Sequence, residues 1–131
     1  MVLPPVTSTS ERPRPTVYFD GACPVCRREI AHYRQGSGEH ALNWVDAAAC
    51  PPGDLGPALS RPQALARLHL RLPDGQLVHG AAAFLAMWAA LPDHPRLAAW
   101  ARRLNRPAVV AVLDAAYSAF LRVRRLWRRA A

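Results

Sequence analysis

The stretch "TVYFDGACPVC" at residues 16–26 joins a predicted strand to the only close pair of cysteines in the chain. Its first five residues are mostly β-branched or aromatic, which is typical of a buried strand. Pro24 stands where a helix would begin, and proline suits the first helical position because its φ is fixed and its N–H is not needed there. The stretch therefore predicts strand, turn and helix, with Cys23 at the helix N-terminus and Cys26 one turn inside.

Outward from this stretch, hydrophobic patterns and turn residues divide the chain into further elements. Strand, helix and strand at the first three positions predict a parallel βαβ unit, and "PDG" at 73–75 predicts an antiparallel hairpin. In the first hairpin strand the alternation places three leucines inward, with His69 and Arg71 outward. The predicted elements are a strand at 16–20, a helix at 24–35, a strand at 41–47, a short helix at 60–67, strands at 68–72 and 76–80, and a helix at 81–91.

The order β-α-β-α-β-β-α is that of an α/β, thioredoxin-like fold, in which helices flank a mixed four-stranded sheet. We expect this domain at 16–94. Residues 95–131 are predicted to form a helical C-terminal extension packed on it, with helices at about 95–104 and 107–129. Residues 1–15 are rich in Pro, Ser and Thr and are predicted to be disordered.

Size and composition limit the roles open to the cysteines. The chain has 131 residues, of which 51% are hydrophobic, so its core does not need disulfides. We find neither a secretory signal nor an apolar run long enough to span a membrane, and we expect a cytoplasmic protein. In that compartment a CxxC pair indicates catalysis or metal binding more often than a permanent bridge.

Three interpretations of Cys23 and Cys26 follow. The favoured one is a redox pair, because the partial positive charge at a helix N-terminus stabilises the attacking thiolate. Cys23 is then the exposed nucleophile and Cys26 the buried resolving thiol, and Arg27 and Arg28 are candidates to lower thiol pKa values. The alternatives are two structural cysteines, or half of a zinc site that lacks a second pair of ligands.

Asp20 ends the predicted first strand close to the thiols. It is a candidate catalytic residue that accepts a proton from Cys26, and equally a residue that caps the helix or holds the loop. Cys50 stands alone before two prolines, and we interpret it as a small apolar core residue.

The motif "VYFDGACPVC" resembles the signature of the thiol-disulfide oxidoreductase DCC family, with Asp20, Gly21, Cys23 and Cys26 on the matching positions. The later "HLRLPDGQLVHGAAAFLAMWAALP" is similar to the same family, so the resemblance covers about residues 16–126. It implies a thioredoxin-like fold and disulfide oxidoreductase activity. We expect reversible thiol-disulfide exchange with a protein or low-molecular-weight thiol substrate, for which no metal or organic cofactor is needed. The sequence departs from this pattern at one point. Thioredoxin-like enzymes usually carry a cis-proline just before the hairpin, whereas the nearest proline in this chain, Pro62, lies six positions before Leu68.

The net charge of +8 arises entirely in the C-terminal region, where residues 96–131 carry nine arginines and one acid, Asp114. Three interpretations of the helix at 107–129 are a solvated arginine face, peripheral contact with an anionic membrane, and nucleic-acid binding. The last is the weakest, since no nucleic-acid motif accompanies the charge. The rival to an enzyme is therefore a non-catalytic thioredoxin-like module that docks to a membrane or protein through this helix.

Overall fold

The structure is a computed structural model that describes residues 13–130, with side chains described as far as residue 126. Most of the segment predicted to be disordered, residues 1–12, lies outside this range. The strands are β1 (Thr16–Phe19), β2 (Asn43–Asp46), β3 (His69–Arg71) and β4 (Leu77–His79). The helices are α1 (Pro24–Arg34), α2 (Gly38–Ala41), α3 (Arg61–Ala66), α4 (Ala81–Ala89), α5 (Pro95–Leu104) and α6 (Pro107–Ala130).

The four strands form one mixed sheet in the order β2-β1-β3-β4. β1 pairs in parallel with β2, so that Thr16 lies opposite Asn43, whereas β3 is antiparallel to both β1 and β4. The predicted α/β fold with a mixed four-stranded sheet flanked by helices is confirmed. The helical turn α2 was not predicted, because its "GSG" surroundings indicate the end of a helix rather than a new one.

Both faces of the sheet are covered by apolar groups. Val17 and Phe19 point into one cluster, which includes Leu70 and Met87. Tyr18, between them in β1, points into a second cluster around Leu55 on the opposite face. Side chains on both faces of the two central strands are therefore buried, as expected when helices and loops pack on both sides.

The prediction that His69 points outward is wrong for this reason. His69 is only 7% exposed, and its Nδ1–H donates to the carbonyl of Arg67 at 2.8 Å. Burial lowers the pKa of its imidazole, because the charged form is less well solvated there. The alternation in "LHLRL" shows which side chains share a face, but it does not show that one face is open to solvent.

The C-terminal helix α6 is attached to the start of α4 and to β3. The hydroxyl of Tyr117 accepts a hydrogen bond from the backbone N–H of Leu68 at 2.8 Å, and its ring packs edge-on against Phe84. One turn earlier, Asp114 accepts from the backbone N–H of Ala81 and pairs with Arg67, both at 3.0 Å. Within the described chain, no helix is long and apolar enough to cross a membrane.

Candidate active site

The two motif cysteines lie where β1 passes into α1. Cys23 is the N-cap residue of α1, and its Sγ accepts the backbone N–H of Cys26 at 3.4 Å. This contact satisfies one of the free N–H groups at the helix start and brings the two cysteines together. A sulfur held in this way lies at the positive end of the helix dipole, which stabilises a thiolate.

The loop before Cys23 is fixed by two carboxylates. Asp20 accepts the backbone N–H of Ala22 at 3.0 Å, and Asp46 at the end of β2 accepts that of Gly21 at 2.9 Å. A Cβ on residue 21 would collide with the Asp46 carboxylate and displace it, so glycine keeps this hydrogen bond in place. Asp20 thus holds the loop, as one of its two predicted roles requires.

The predicted exposure of the two thiols is wrong. Cys23 is 0% exposed, whereas Cys26 is partly exposed. A position at the N-cap places Cys23 at the helix start, but it does not determine whether the rest of the chain covers the sulfur. A disulfide that reacts at Cys23 therefore has to reach a sulfur that the folded chain covers.

The thiol of Cys26 is held in its protonated form. Burial, the hydrogen bond to Cys23 and the charge on that cysteine together raise the pKa of Cys26 to about 12. The guanidinium of Arg124 acts in the opposite direction through its hydrogen bond and its charge. At neutral pH, Cys26 is consequently a thiol that donates to the sulfur of Cys23.

Arg124 is the site residue that the sequence interpretation missed. The residue is only 7% exposed, and Nη1 lies 3.5 Å from Cys26 Sγ and 4.0 Å from Asp20 Oδ2. Nη2 donates to the carbonyl of Leu65 at 2.6 Å. Arg124 is therefore buried beside the thiols and is not part of an exposed arginine face of α6. A signal was present, since residue 124 follows Tyr117 by seven positions and so shares its helix face.

Other predicted contributors lie apart from the thiols. Arg27 donates to the carbonyl of Gly21 at 3.2 Å, Arg28 is exposed, and neither contributes to the pKa shift of Cys26. Cys50 is half-buried and packs against the Tyr18 cluster. Cys50 thus lies in the cluster on the Tyr18 face of the sheet, where it packs as a small apolar residue.

Pro62 does not take the place of a cis-proline. It lies in the first turn of α3, and none of the described peptide bonds is cis. The chain just before β3 is instead held by Arg124, which donates to the carbonyls of Leu65 and Ala66. The same side chain thus connects this segment to Cys26.

A small apolar cavity of about 30 Å³ adjoins Cys26. We call it the thiol cavity, and its walls include Phe19, Cys26, Phe84, Tyr117, Phe120 and Arg124. Asp20 also contributes to these walls, so the carboxylate, the Cys26 thiol and the guanidinium face one space. Among the described residues, no group of three or more His, Cys, Asp or Glu side chains is placed to hold a metal ion.

A family model described as DCC1-like thiol-disulfide oxidoreductase matches residues 17–130. The chain belongs to the DCC1-like family. The match begins in β1 and extends through α6, so Arg124 lies within it as well as both cysteines. The resemblance found in the sequence is confirmed over most of the chain. No curated protein and no solved structure matches this member of the DCC1-like family.

Thiol labelling is expected to follow this geometry. Cys50 should react faster than Cys23 with a bulky maleimide, because the folded chain covers Cys23. The two labelling rates should differ less with iodoacetamide, because that reagent is smaller. Cys26 should react slowly at neutral pH and faster as the pH rises toward its pKa of about 12. Mass mapping of the labelled peptides measures these rates. Rapid labelling of Cys23 by the bulky reagent would show that the folded chain leaves it open.

Proposed function

We propose that this protein is a thiol-disulfide oxidoreductase in which Cys23 attacks a substrate disulfide and Cys26 resolves the mixed disulfide. One observation carries the assignment of roles. The Sγ of Cys23 accepts from the N–H of Cys26 at the helix start, whereas Cys26 keeps its proton because its pKa is about 12. Two groups that stabilise negative charge, the N–H and the S–H of Cys26, thus converge on Cys23.

In the first step, the Cys23 thiolate attacks one sulfur of the substrate. The substrate S–S bond breaks, a bond forms between Cys23 Sγ and that sulfur, and the other half of the substrate leaves as a thiolate that takes a proton from water. Because Cys23 is fully buried, this step includes local opening of the chain around it.

The second step follows from the change of charge at Cys23. Once its sulfur is in a mixed disulfide, the hydrogen bond and the negative charge that raise the pKa of Cys26 are lost, while Arg124 still lowers it. Burial, the largest cause of the raised pKa, remains, but the pKa of Cys26 is lower in the mixed disulfide than in the reduced pair, which favours its attack at this stage. Its proton passes to the buried Asp20 carboxylate, which lines the same cavity.

Cys26 then attacks Cys23 Sγ and releases the second substrate thiol. The protein loses two electrons and gains a Cys23–Cys26 disulfide, and the substrate disulfide becomes two thiols. A cellular thiol returns the pair to the reduced form by the reverse exchange. A protein disulfide or a low-molecular-weight disulfide is the proposed substrate, and the cytoplasm, which keeps thiols reduced, is the proposed location.

A single-turnover experiment tests this function. Reduced Cys50→Ala protein, which lacks the third thiol, is mixed without other thiols with an excess of bis(hydroxyethyl) disulfide, and released mercaptoethanol is counted. Two molecules of mercaptoethanol should be released per protein. Their release should be faster than that caused by free glutathione at twice the protein concentration, because the two cysteines of the protein are preorganised. If the protein released mercaptoethanol no faster than free glutathione does, the proposal that it is an enzyme would be wrong.

The alternative of a non-catalytic module docked through α6 stays a proposal. Its support is a partly apolar surface at the end of the helix, where Val123 is 46% and Leu126 is 65% exposed beside Arg122 and Arg125. The side chain of Trp127, named in that interpretation, lies outside the described residues. A purely docking role predicts that single turnover releases thiols no faster than free glutathione does.

A further inference from the structure

A basic groove runs between α3 and α6, next to the dithiol. Its volume is about 510 Å³, which lies in the range of small-molecule sites. We call it the arginine groove and define it by Arg67, Ser118, Leu121, Arg122, Arg124 and Arg125. Pro62, Leu65 and Ala66 complete its lining, so four of nine lining residues are cations. The sequence did not predict the groove because these cations come from two separate parts of the chain.

The positive charge of the arginine groove is only partly balanced. Arg67 pairs with Asp114, and Arg124 approaches Asp20. Arg122 and Arg125 are exposed, and neither forms an ion pair with any residue in the described range. Because unbalanced cations that share one concave surface attract anions, the groove favours a negatively charged occupant.

Two donors of the arginines shared with the thiol cavity are unsatisfied, at atoms that solvent does not reach. The Nε atoms of Arg67 and Arg124 are buried and make no hydrogen bond. Arg124 as a whole is only 7% exposed. Buried N–H groups nearly always have a partner, and a carboxylate oxygen is a strong one for a guanidinium. Both of these residues line the arginine groove.

The arginine groove is adjacent to the reacting sulfurs. Arg67 and Arg124 line both the groove and the thiol cavity, and Arg124 Nη1 lies 3.5 Å from Cys26 Sγ. Arg67 and Arg124 therefore connect the groove to the cavity beside Cys26, and a small disulfide bound in the groove lies next to that cavity.

We propose that the arginine groove binds a carboxylate of the substrate, so that the preferred substrates are low-molecular-weight disulfides that carry carboxylates. The proposal rests on the proposed thiol-disulfide exchange and adds the substrate class. Guanidinium groups bind carboxylates in a planar, two-point arrangement, which orients the substrate as well as attracting it. An exposed cation contributes little alone, but two that share a ligand are expected to change its affinity about tenfold.

The kinetic test compares three disulfides of similar length that differ in charge. These are dithiodipropionate, which is dianionic, bis(hydroxyethyl) disulfide, which is neutral, and cystamine, which is dicationic. Single-turnover rates at limiting substrate should fall in that order. The Arg122→Gln/Arg125→Gln double variant should lose about tenfold with dithiodipropionate and little with the neutral disulfide. The matched control is Arg96→Gln/Arg102→Gln, which removes two exposed arginines of α5.

A binding test without redox chemistry separates the two proposals. Suberate is dithiodipropionate with the sulfurs replaced by methylenes, and hexanediol is the matching analogue of the neutral disulfide. Suberate added to the Cys23→Ser variant should shift the amide NMR signals of Ser118 and Leu121, and hexanediol should not. The shifts should weaken in the Arg122→Gln/Arg125→Gln background and persist in the control.

The outcomes distinguish which proposal fails. If suberate bound in the groove but the protein reduced no disulfide, the proposed carboxylate site would stand and the proposed enzyme activity would be wrong. Rapid reduction of all three disulfides at equal rates, with no suberate shift, would overturn the groove and retain the enzyme. Shifts that are the same for suberate and hexanediol would also overturn the groove, since they would report apolar contact.

Discussion

Cys23→Ser is expected to lower the rate of disulfide reduction at least about a thousandfold, because it removes the sulfur that accepts the substrate. Cys26→Ser should still react once and then stop as a mixed disulfide on Cys23, because the resolving thiol is absent. Intact-protein mass spectrometry after reaction with bis(hydroxyethyl) disulfide measures the difference. Only the Cys26→Ser variant should carry one stable mercaptoethanol adduct at the active site.

Cys50→Ala is the matched control for this pair of variants. Cys50 is half-buried on the other side of the sheet's core and should contribute little to the exchange, so the variant should react like the wild type. A loss of activity in Cys50→Ala as large as that in Cys23→Ser would contradict a two-cysteine mechanism. A stable adduct on Cys26 in the Cys23→Ser variant, formed as fast as the wild type reacts, would reverse the roles assigned here.

Arg124→Gln is expected to slow the resolving step about tenfold or more. The guanidinium lowers the pKa of Cys26, so its removal raises that pKa and leaves a smaller thiolate fraction at any pH below it. In both proteins, the rate at which a preformed mixed disulfide releases its second thiol should rise with pH. The curve for Arg124→Gln should lie at higher pH than that for the wild type. Rates measured from about pH 6 to about pH 10 test the displacement.

The same variant is expected to be less stable. Arg124 and Asp20 are both buried, and removal of one partner of a buried charge pair costs about 3–5 kcal/mol. Urea denaturation measures this cost, and Arg124→Lys should recover part of the resolving rate because it restores the charge. Arg28→Gln is the control, since Arg28 is an exposed arginine near Cys26 in sequence that does not act on its pKa. A stability loss in Arg124→Gln with no change in the pH curve would assign Arg124 a structural role alone.

The strand, turn and helix that carry the cysteines were predictable because their signals are local. Residues 16–19 form β1 as their β-branched and aromatic side chains indicate, and Pro24 begins α1 as its fixed φ favours. The position of Cys23 at the N-cap follows from these two elements alone. The hairpin around "PDG" was predictable for the same reason, because its turn residues specify the reversal.

The burial of Cys23 and the role of Arg124 were not predictable from local signals. Exposure depends on what packs over the helix start, and neighbouring residues in sequence do not show it. Arg124 reaches Cys26 from 98 positions away in the chain. Its helical spacing from Tyr117 placed it on the inner face, but an arginine in an arginine-rich segment is read as solvated unless its buried partners are known.

The most direct test of dithiol exchange is disulfide mapping after a single turnover. Reduced wild-type protein is reacted with bis(hydroxyethyl) disulfide, quenched with acid, alkylated and digested. A Cys23–Cys26 disulfide is expected to appear at the rate at which the second mercaptoethanol is released, before Cys50 is modified. Release of mercaptoethanol without a Cys23–Cys26 disulfide, or with the new bond on Cys50, would contradict this expectation.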